Sequence, residues 1–242
     1  MSRRLVDRYM EPLLAGNRVL CRELVHKEVA ADVPGRKLYE DLLWPAMERV
    51  EQLYRKDQIN IATEHMATRI NRTLADQLQA SLVKRSPNGK RVVIMCAHGE
   101  PEELGAQMCS DLFESDGWDV YFVGGGVPND EMLGLVGQLR PDILLIFGTQ
   151  PRGVPVIREL VDKIREIGCN PTMNIIVSGG VFNRADGLWR EISADHFAPT
   201  AREALVTANH AEPRPAEVRI PGAPKKRRRR RRPPLLAAAE SS

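Results

Sequence analysis

Apolar residues recur at helical spacing through the first third of the chain. Four segments carry this period, at residues 5–14, 18–30, 37–56 with a break near Pro45, and 59–83. In the last segment an apolar residue occupies every fourth position, at Met66, Ile70, Leu74, Leu78 and Leu82. A stripe of this kind packs against neighbouring helices. Four helices with short connections predict an antiparallel four-helix bundle over residues 1–84.

A different pattern follows the polar stretch at residues 84–90, where turn residues mark a domain boundary. Short apolar runs predict buried strands at residues 92–96, 120–123, 143–147 and 175–177, with a last short strand near His196 and Phe197. Helical patterns lie between them at residues 104–114, 129–139, 154–167 and 184–192, and a final helix begins at Ala201. The alternation predicts an α/β domain over residues 90–210, a five-stranded parallel sheet of flavodoxin-like or Rossmann-like type. Any ligand should lie beyond the carboxyl ends of its strands.

Charge separates the end of the chain from the rest. The net charge is only +3, yet eight cations are adjacent, so the remainder is mildly acidic. These cations are Lys225, Lys226, Arg227, Arg228, Arg229, Arg230, Arg231 and Arg232. Residues 211–242 have no apolar period and predict a disordered tail. We expect it to contact nucleic acid without sequence readout, or an acidic partner; a solubility appendage or a compositional accident are the alternatives.

Several function classes are disfavoured by the sequence. The chain has no apolar run of about 18 residues and no signal-like start, so we expect a soluble, cytoplasmic protein. Its four cysteines form no CxxC pair, which argues against a disulfide framework or a zinc site. The run Gly124–Gly126 lacks the lysine and hydroxyl residue of a phosphate-binding loop. No nucleophile or acid–base signature is present, so we do not expect an enzyme.

Five landmarks occur in a recognisable order. They are LLAGNR at residues 13–18, the pair Glu64 and His65, GWDVYFVGGGVP at 117–128, RPDILLIFG at 140–148, and SGG at 178–180. Over residues 3–210 the chain resembles the cobalamin-binding domains of methionine synthase, methyltransferase corrinoid proteins and light-sensing repressors. The resemblance implies a corrin ring between the bundle and the α/β domain, and a tunnel that takes the displaced nucleotide tail of the cofactor.

The chain departs from the family motif D-x-H-x-x-G, whose histidine ligates cobalt from below. The aligned segment is EPEELG, so Glu100 keeps the acidic position and Gly105 the glycine, but Glu102 stands where the histidine is expected. His98, four residues earlier, is a candidate replacement ligand, although we interpret it first as a structural or solvent-facing histidine. The identity of any metal is left open.

The tunnel and the upper side of the site also differ. Phe147 and Thr149 occupy the family's S-x-L segment, where the phenylalanine should partly fill the tunnel, whereas Gly179 and Gly180 are retained. In the bundle, light-sensing members carry W-x9-E-H above the corrin. Here Tyr54 replaces the tryptophan, with the Glu64 and His65 pair kept as candidate cofactor-binding residues.

These features favour a non-enzymatic sensor that binds cobalamin, or haem or another tetrapyrrole, without the usual lower histidine and without base-off binding. The alternatives are a corrinoid carrier for methyl transfer, and a ligand-free interaction scaffold with a nucleic-acid-binding tail. Self-association through the bundle is a further expectation, and no membrane partner is expected.

Overall fold

The computed structural model describes residues 3–97, 99–100 and 102–216. The N-terminal part consists of helices α1 (Arg3–Leu14), α2 (Arg18–Ala30), α3 (Gly35–Leu38), α4 (Trp44–Arg55) and α5 (Ile61–Gln79). Asn17 and Asn60 start α2 and α5, because each side chain accepts a hydrogen bond from a backbone N–H of the first turn. The four predicted helical segments are present, with α3 and α4 forming the third.

The break predicted near Pro45 does not occur. A π-helical turn over Tyr39–Leu43 joins α3 to α4, and the backbone N–H of Trp44 donates to the carbonyl of Tyr39. Proline lacks an N–H and its ring crowds the preceding turn, and the wider π turn immediately before Pro45 accommodates both effects. The helix therefore continues, and it brings Tyr39 and Trp44 against the α/β domain.

The predicted apolar stripe is buried except at its first member, although α5 ends at Gln79 and its last member, Leu82, follows the helix. Ile70, Leu74, Leu78 and Leu82 are buried, but Met66 is 45% exposed. Each four-residue step overshoots the helical turn by about 40°, so a strict spacing of four drifts around the helix. The buried face instead follows Ala67, Ile70, Asn71, Leu74, Ala75 and Leu78.

The second part is the predicted five-stranded parallel sheet. Its strands are β1 (Arg91–Cys96), β2 (Asp119–Gly124), β3 (Ile143–Phe147), β4 (Asn174–Ser178) and β5 (His196–Ala198). They lie in the order β2-β1-β3-β4-β5, with every pair parallel. The apolar runs of β1, β3 and β4 become central strands covered on both faces, which confirms the predicted fold class.

Six helices connect and flank these strands: α6 (Leu104–Ser115), α7 (Asn129–Leu139), α8 (Val154–Ile167), α9 (Gly180–Arg184), α10 (Leu188–Glu191) and α11 (Ala201–His210). The single helix predicted at residues 184–192 is wrong, since two short helices replace it. Gly187 between them adopts a left-handed conformation at φ +76°, which interrupts the helix.

Two apolar cores cover the two faces of the sheet. One lies under α7 and α8, and the other, which contains Ile94, Leu145 and Phe113, continues without interruption into the interior of the bundle. The bundle and the α/β domain thus share a core on the α6 side. None of the helices in the described ranges combines the length and apolar character that a membrane span requires.

Candidate functional site

A cavity of about 350 Å³ lies between the bundle and the carboxyl ends of the strands. Its walls come from α4 and α5 on one side, and from the segments that follow β3 and β4 on the other. Eight of the predicted site residues line it: Tyr54, Glu64, His65, Glu102, Phe147, Thr149, Gly179 and Gly180. Residues far apart in the sequence therefore meet at the sheet edge where parallel α/β folds bind ligands.

Carboxylates dominate the bundle side of the cavity. Glu64 accepts a hydrogen bond from Thr68 Oγ1 at 3.3 Å, and its other oxygen lies 3.5 Å from His65 Nε2. Burial raises the pKa of Glu64, and the nearby His65 partly offsets this. Burial also raises the pKa of Glu48, whose carboxylate accepts a hydrogen bond from Trp44 Nε1 at 3.0 Å. The bundle wall is thus acidic and aromatic.

The three glutamates of the EPEELG segment accept hydrogen bonds from different parts of the fold. Thr149 donates to both carboxylate oxygens of Glu100, through its hydroxyl and through its backbone N–H, the latter at 2.7 Å. Glu102 Oε1 accepts from the backbone N–H of Leu104 at 2.7 Å and from Arg72 Nη2 at 3.1 Å. Glu103 Oε1 accepts from the backbone N–H of Gly125 at 2.6 Å. Glu102, at the expected ligand position, therefore caps α6 and pairs with the bundle.

Phe147 fills the space at the end of β3. Its side chain is 3% exposed, and its ring meets the Trp44 ring edge-on, with centroids 6.4 Å apart and planes at 85°. A Cβ atom placed on Gly105 would lie 2.2 Å from the Phe147 ring, so only glycine fits there without displacement. Gly105 does not line the cavity itself, but it makes room for the phenylalanine.

The two glycines after β4 lie in tight surroundings. Gly179 has φ +101°, and a Cβ there would come within 2.4 Å of the Gly148 carbonyl oxygen. A Cβ on Gly180 would lie 2.5 Å from Arg184 Nη1 and 2.7 Å from Glu51 Oε1. Arg184 forms an ion pair with Glu51, and it also donates to the Thr149 carbonyl. An ion pair between α4 and α9 thus covers Gly180.

Several residues of the cavity were not predicted from the sequence. Trp44, Glu51, Thr68 and Arg184 line it, and Arg72 reaches it through Glu102. Glu51 and Arg184 are 133 positions apart, so no local pattern links them. Only Trp44 had a local sign in the sequence, because it stands next to a proline inside a helical period.

Two groups of predicted residues lie outside the described residues: His98, and the basic run from Lys225 to Arg232. Their expected roles stay predictions. Within the described ranges, no cluster of three or more His, Cys, Asp and Glu side chains has a geometry suited to a metal ion.

Comparison with known proteins covers both parts of the chain. A family profile described as a B12 binding domain matches residues 5–79, and a second with the same description matches residues 90–208. Dimethylamine corrinoid protein 3 of Methanosarcina acetivorans is 22% identical over 75% of this chain and 85% of its own length. The HTH-type transcriptional repressor CarA of Myxococcus xanthus is 27% identical over 39% of this chain and 33% of its own length.

The fold has a counterpart among solved structures. The monomethylamine corrinoid protein of Methanosarcina barkeri superimposes with a TM-score of 0.76 at 18% sequence identity, over 86% of this chain and 98% of the other. The helical bundle, the parallel sheet and the profile matches agree with one another. The chain therefore belongs to the B12-binding domain family.

Proposed function

We propose that this protein binds a corrinoid in the cavity between the bundle and the α/β domain, and that it acts as a corrinoid protein without catalytic side chains of its own. The observation that carries the proposal is the convergence of the predicted site residues on one cavity at the carboxyl ends of β3 and β4. Family membership over both parts of the chain supports the same ligand class.

The charge of the cavity favours a corrinoid over haem. Glu48, Glu51, Glu64 and Glu102 line it, together with Arg55 and Arg184. Arg184 is paired with Glu51, and Glu102 is paired with Arg72. Haem carries two propionates, whose charge would be repelled by these carboxylates in a partly desolvated space. A corrinoid carries neutral amide side chains around a positively charged metal centre. The carboxylates of Glu48 and Glu64 on the bundle wall, which are not in the arginine pairs above, therefore support corrinoid binding over haem.

In this proposal the corrinoid binds without a protein imidazole below it. Glu102 occupies the histidine position, and its carboxylate is engaged by Leu104 and Arg72. The resemblance to the family implies a nucleotide tail at the end of β3, and there the Phe147 ring is buried. Both contacts argue against the base-off, histidine-ligated mode, because the described residues at this edge provide neither an imidazole at the ligand position nor space for the tail.

The role we favour is that of a corrinoid carrier for methyl transfer, which would present the ligand to a methyltransferase partner. The sequence alone favoured a sensor, but the relatives that cover most of the chain are named as dimethylamine corrinoid proteins. A sensor remains the second candidate, because Glu64 and His65 face the cavity and one shorter match is to a transcriptional repressor.

The proposal is tested by titrating the purified full chain with hydroxocobalamin, methylcobalamin, adenosylcobalamin, cobinamide and haem while visible absorption is recorded. Saturable binding of a corrinoid with one equivalent per chain is the expected result. Binding of haem alone, or of none of the compounds, would overturn it.

A second measurement distinguishes the carrier role from the sensor role: affinity purification of the tagged full chain from its native host. A carrier should co-purify with a methyltransferase. Its own oligomeric state should be the same with and without corrinoid. A corrinoid-dependent change of association state, with no methyltransferase recovered, would replace the carrier by the sensor.

A further inference from the structure

We infer that the cavity selects corrinoids that carry no nucleotide tail, and that Phe147 is the residue that excludes the tail. This inference rests on the proposed corrinoid binding and concerns which corrinoids the site accepts. It follows from three features around the end of β3: a closely packed aromatic ring, a buried hydroxyl without a hydrogen-bond partner among the described residues, and an ion pair that covers Gly180.

The Phe147 ring is fixed by close packing. It lies between Trp44 of the bundle and Gly105 of α6, and it belongs to the continuous core that joins the two parts of the protein. Interiors of this kind have few voids, so a ring in this position moves only if its neighbours move with it. Entry of a nucleotide tail would have to displace the ring and disturb its packing against Trp44 and against α6 at Gly105.

Ser178 lies beside this ring. It is the register partner of Phe147 in the β3–β4 pair, so the two side chains lie on the same face of the sheet. Ser178 is 0% exposed, and its Oγ has no hydrogen-bond partner among the described residues. A buried hydroxyl without a partner is costly and uncommon. Phe147 lines the cavity and Ser178 does not, so the hydroxyl is a polar group beside the ring that is closed off from the cavity.

The ion pair of Arg184 with Glu51 closes a second approach, at Gly180 just after β4. The two side chains lie directly over Gly180, and Arg184 is held further by the Thr149 carbonyl. The carboxylates of Glu51 and Glu102 are both paired with arginines, so the exclusion of the tail rests on shape. The amide-substituted ring does not need this space, because the cavity between the bundle and the sheet edge is open.

The test compares the affinities of the full chain for cobinamide, which lacks the nucleotide tail, and for hydroxocobalamin, by absorption titration. We expect cobinamide to bind at least about ten-fold more tightly, because an overpacked site loses roughly one or more factors of ten in affinity. Equal affinities in the wild-type chain, or tighter binding of hydroxocobalamin, would overturn the inference while leaving corrinoid binding intact. Absence of binding by both compounds would overturn the inference and the proposed function together.

The variants Phe147→Ala and Phe147→Ser test whether Phe147 causes the difference in affinity between the two corrinoids. Each should bring the two affinities to within about three-fold of each other by opening the space beside Ser178. Phe113→Ala is the matched control, since Phe113 is a buried core phenylalanine that packs edge-on against Trp118 away from the cavity. It should keep the wild-type ratio. If both folded Phe147 variants keep that ratio, Phe147 is not the excluding residue; if either variant unfolds, the wild-type ratio still decides the inference.

Discussion

Arg72 in α5 and Glu102, two residues before α6, form an ion pair in which Nη2 lies 3.1 Å from Oε1. The same carboxylate oxygen accepts the backbone N–H of Leu104 at 2.7 Å. The residue at the family's cobalt-ligand position therefore joins the bundle to the α/β domain and caps a helix. These two contacts explain how a carboxylate is accommodated where the fold usually carries an imidazole.

Replacing Glu102 by alanine should lower the free energy of unfolding by about 1–2 kcal/mol, from loss of a helix cap and of a partly buried ion pair. Arg72→Ala should cost less, and the double variant should cost less than the two changes added, because they remove one shared contact. Urea unfolding measures all three. Glu114→Ala, which removes an exposed pair with Lys84, is the control and should leave the midpoint nearly unchanged. Strictly additive effects would show that the pair does not couple the two parts.

Restoring the family histidine with Glu102→His should not by itself produce base-off cobalamin. The imidazole would stand at the ligand position, but the Phe147 ring would still occupy the tail route. The double variant Glu102→His with Phe147→Ala supplies both ligand and space, and should shift the visible bands of bound cobalamin to those of a histidine-ligated form. A base-off, histidine-ligated spectrum from Glu102→His alone would contradict the role given to Phe147.

Gly105→Ala should destabilise the protein by about 1–3 kcal/mol, because its Cβ would lie 2.2 Å from the Phe147 ring. Adding Phe147→Leu should recover part of this loss. Gly134→Ala in α7 is the matched control, since a Cβ there meets nothing within 4 Å, and it should stabilise the helix by about 0.5–1 kcal/mol. Thermal unfolding of the four proteins checks the series, and equal effects at the two glycines would contradict the close contact.

Asp111 should make stability depend on pH. It is buried in α6, where it accepts hydrogen bonds from Tyr39 at 2.8 Å and Gln79 at 2.9 Å. Burial raises the pKa of its carboxyl to about 6, despite the opposing effect of the Tyr39 hydrogen bond. Because the folded pKa lies above the unfolded value of about 3.9, its contribution is fully present below about pH 4 and is lost as pH rises through 6.

Asp111→Asn removes this titration. Between pH 4 and pH 7 the wild type should therefore lose about 2–3 kcal/mol of unfolding free energy relative to the variant. Urea unfolding at intervals of half a pH unit measures the difference. A difference that stays constant over this range would contradict the raised pKa of Asp111.

The fold was largely predictable because its signals are local. Short apolar runs mark β1, β3 and β4, whose side chains are buried on both faces, and the helical periods of α7 and α8 give their observed bounds. The errors arose where backbone geometry overrides the period. A π turn carries the helix through Pro45, and Gly187 interrupts a segment that appeared continuous in the pattern.

The site was predictable in its positions but not in its contacts. The family spacing led to the segments that line the cavity, including Glu64, Phe147 and the glycines after β4. The pairs that determine what the cavity accepts, Arg72 with Glu102 and Glu51 with Arg184, join distant residues and depend on how the bundle docks. Periodicity within one element carries no information about such pairs.

Hydrogen–deuterium exchange of the full chain, with and without saturating cobinamide, tests most directly whether a corrinoid occupies the interdomain cavity. The account predicts slower exchange in α4, in the first turns of α5, and in residues 147–151 and 179–184, which line the cavity, with no change in α7. Unchanged exchange in all of these segments, or protection confined to α7 and α8 on the opposite face of the sheet, would contradict it.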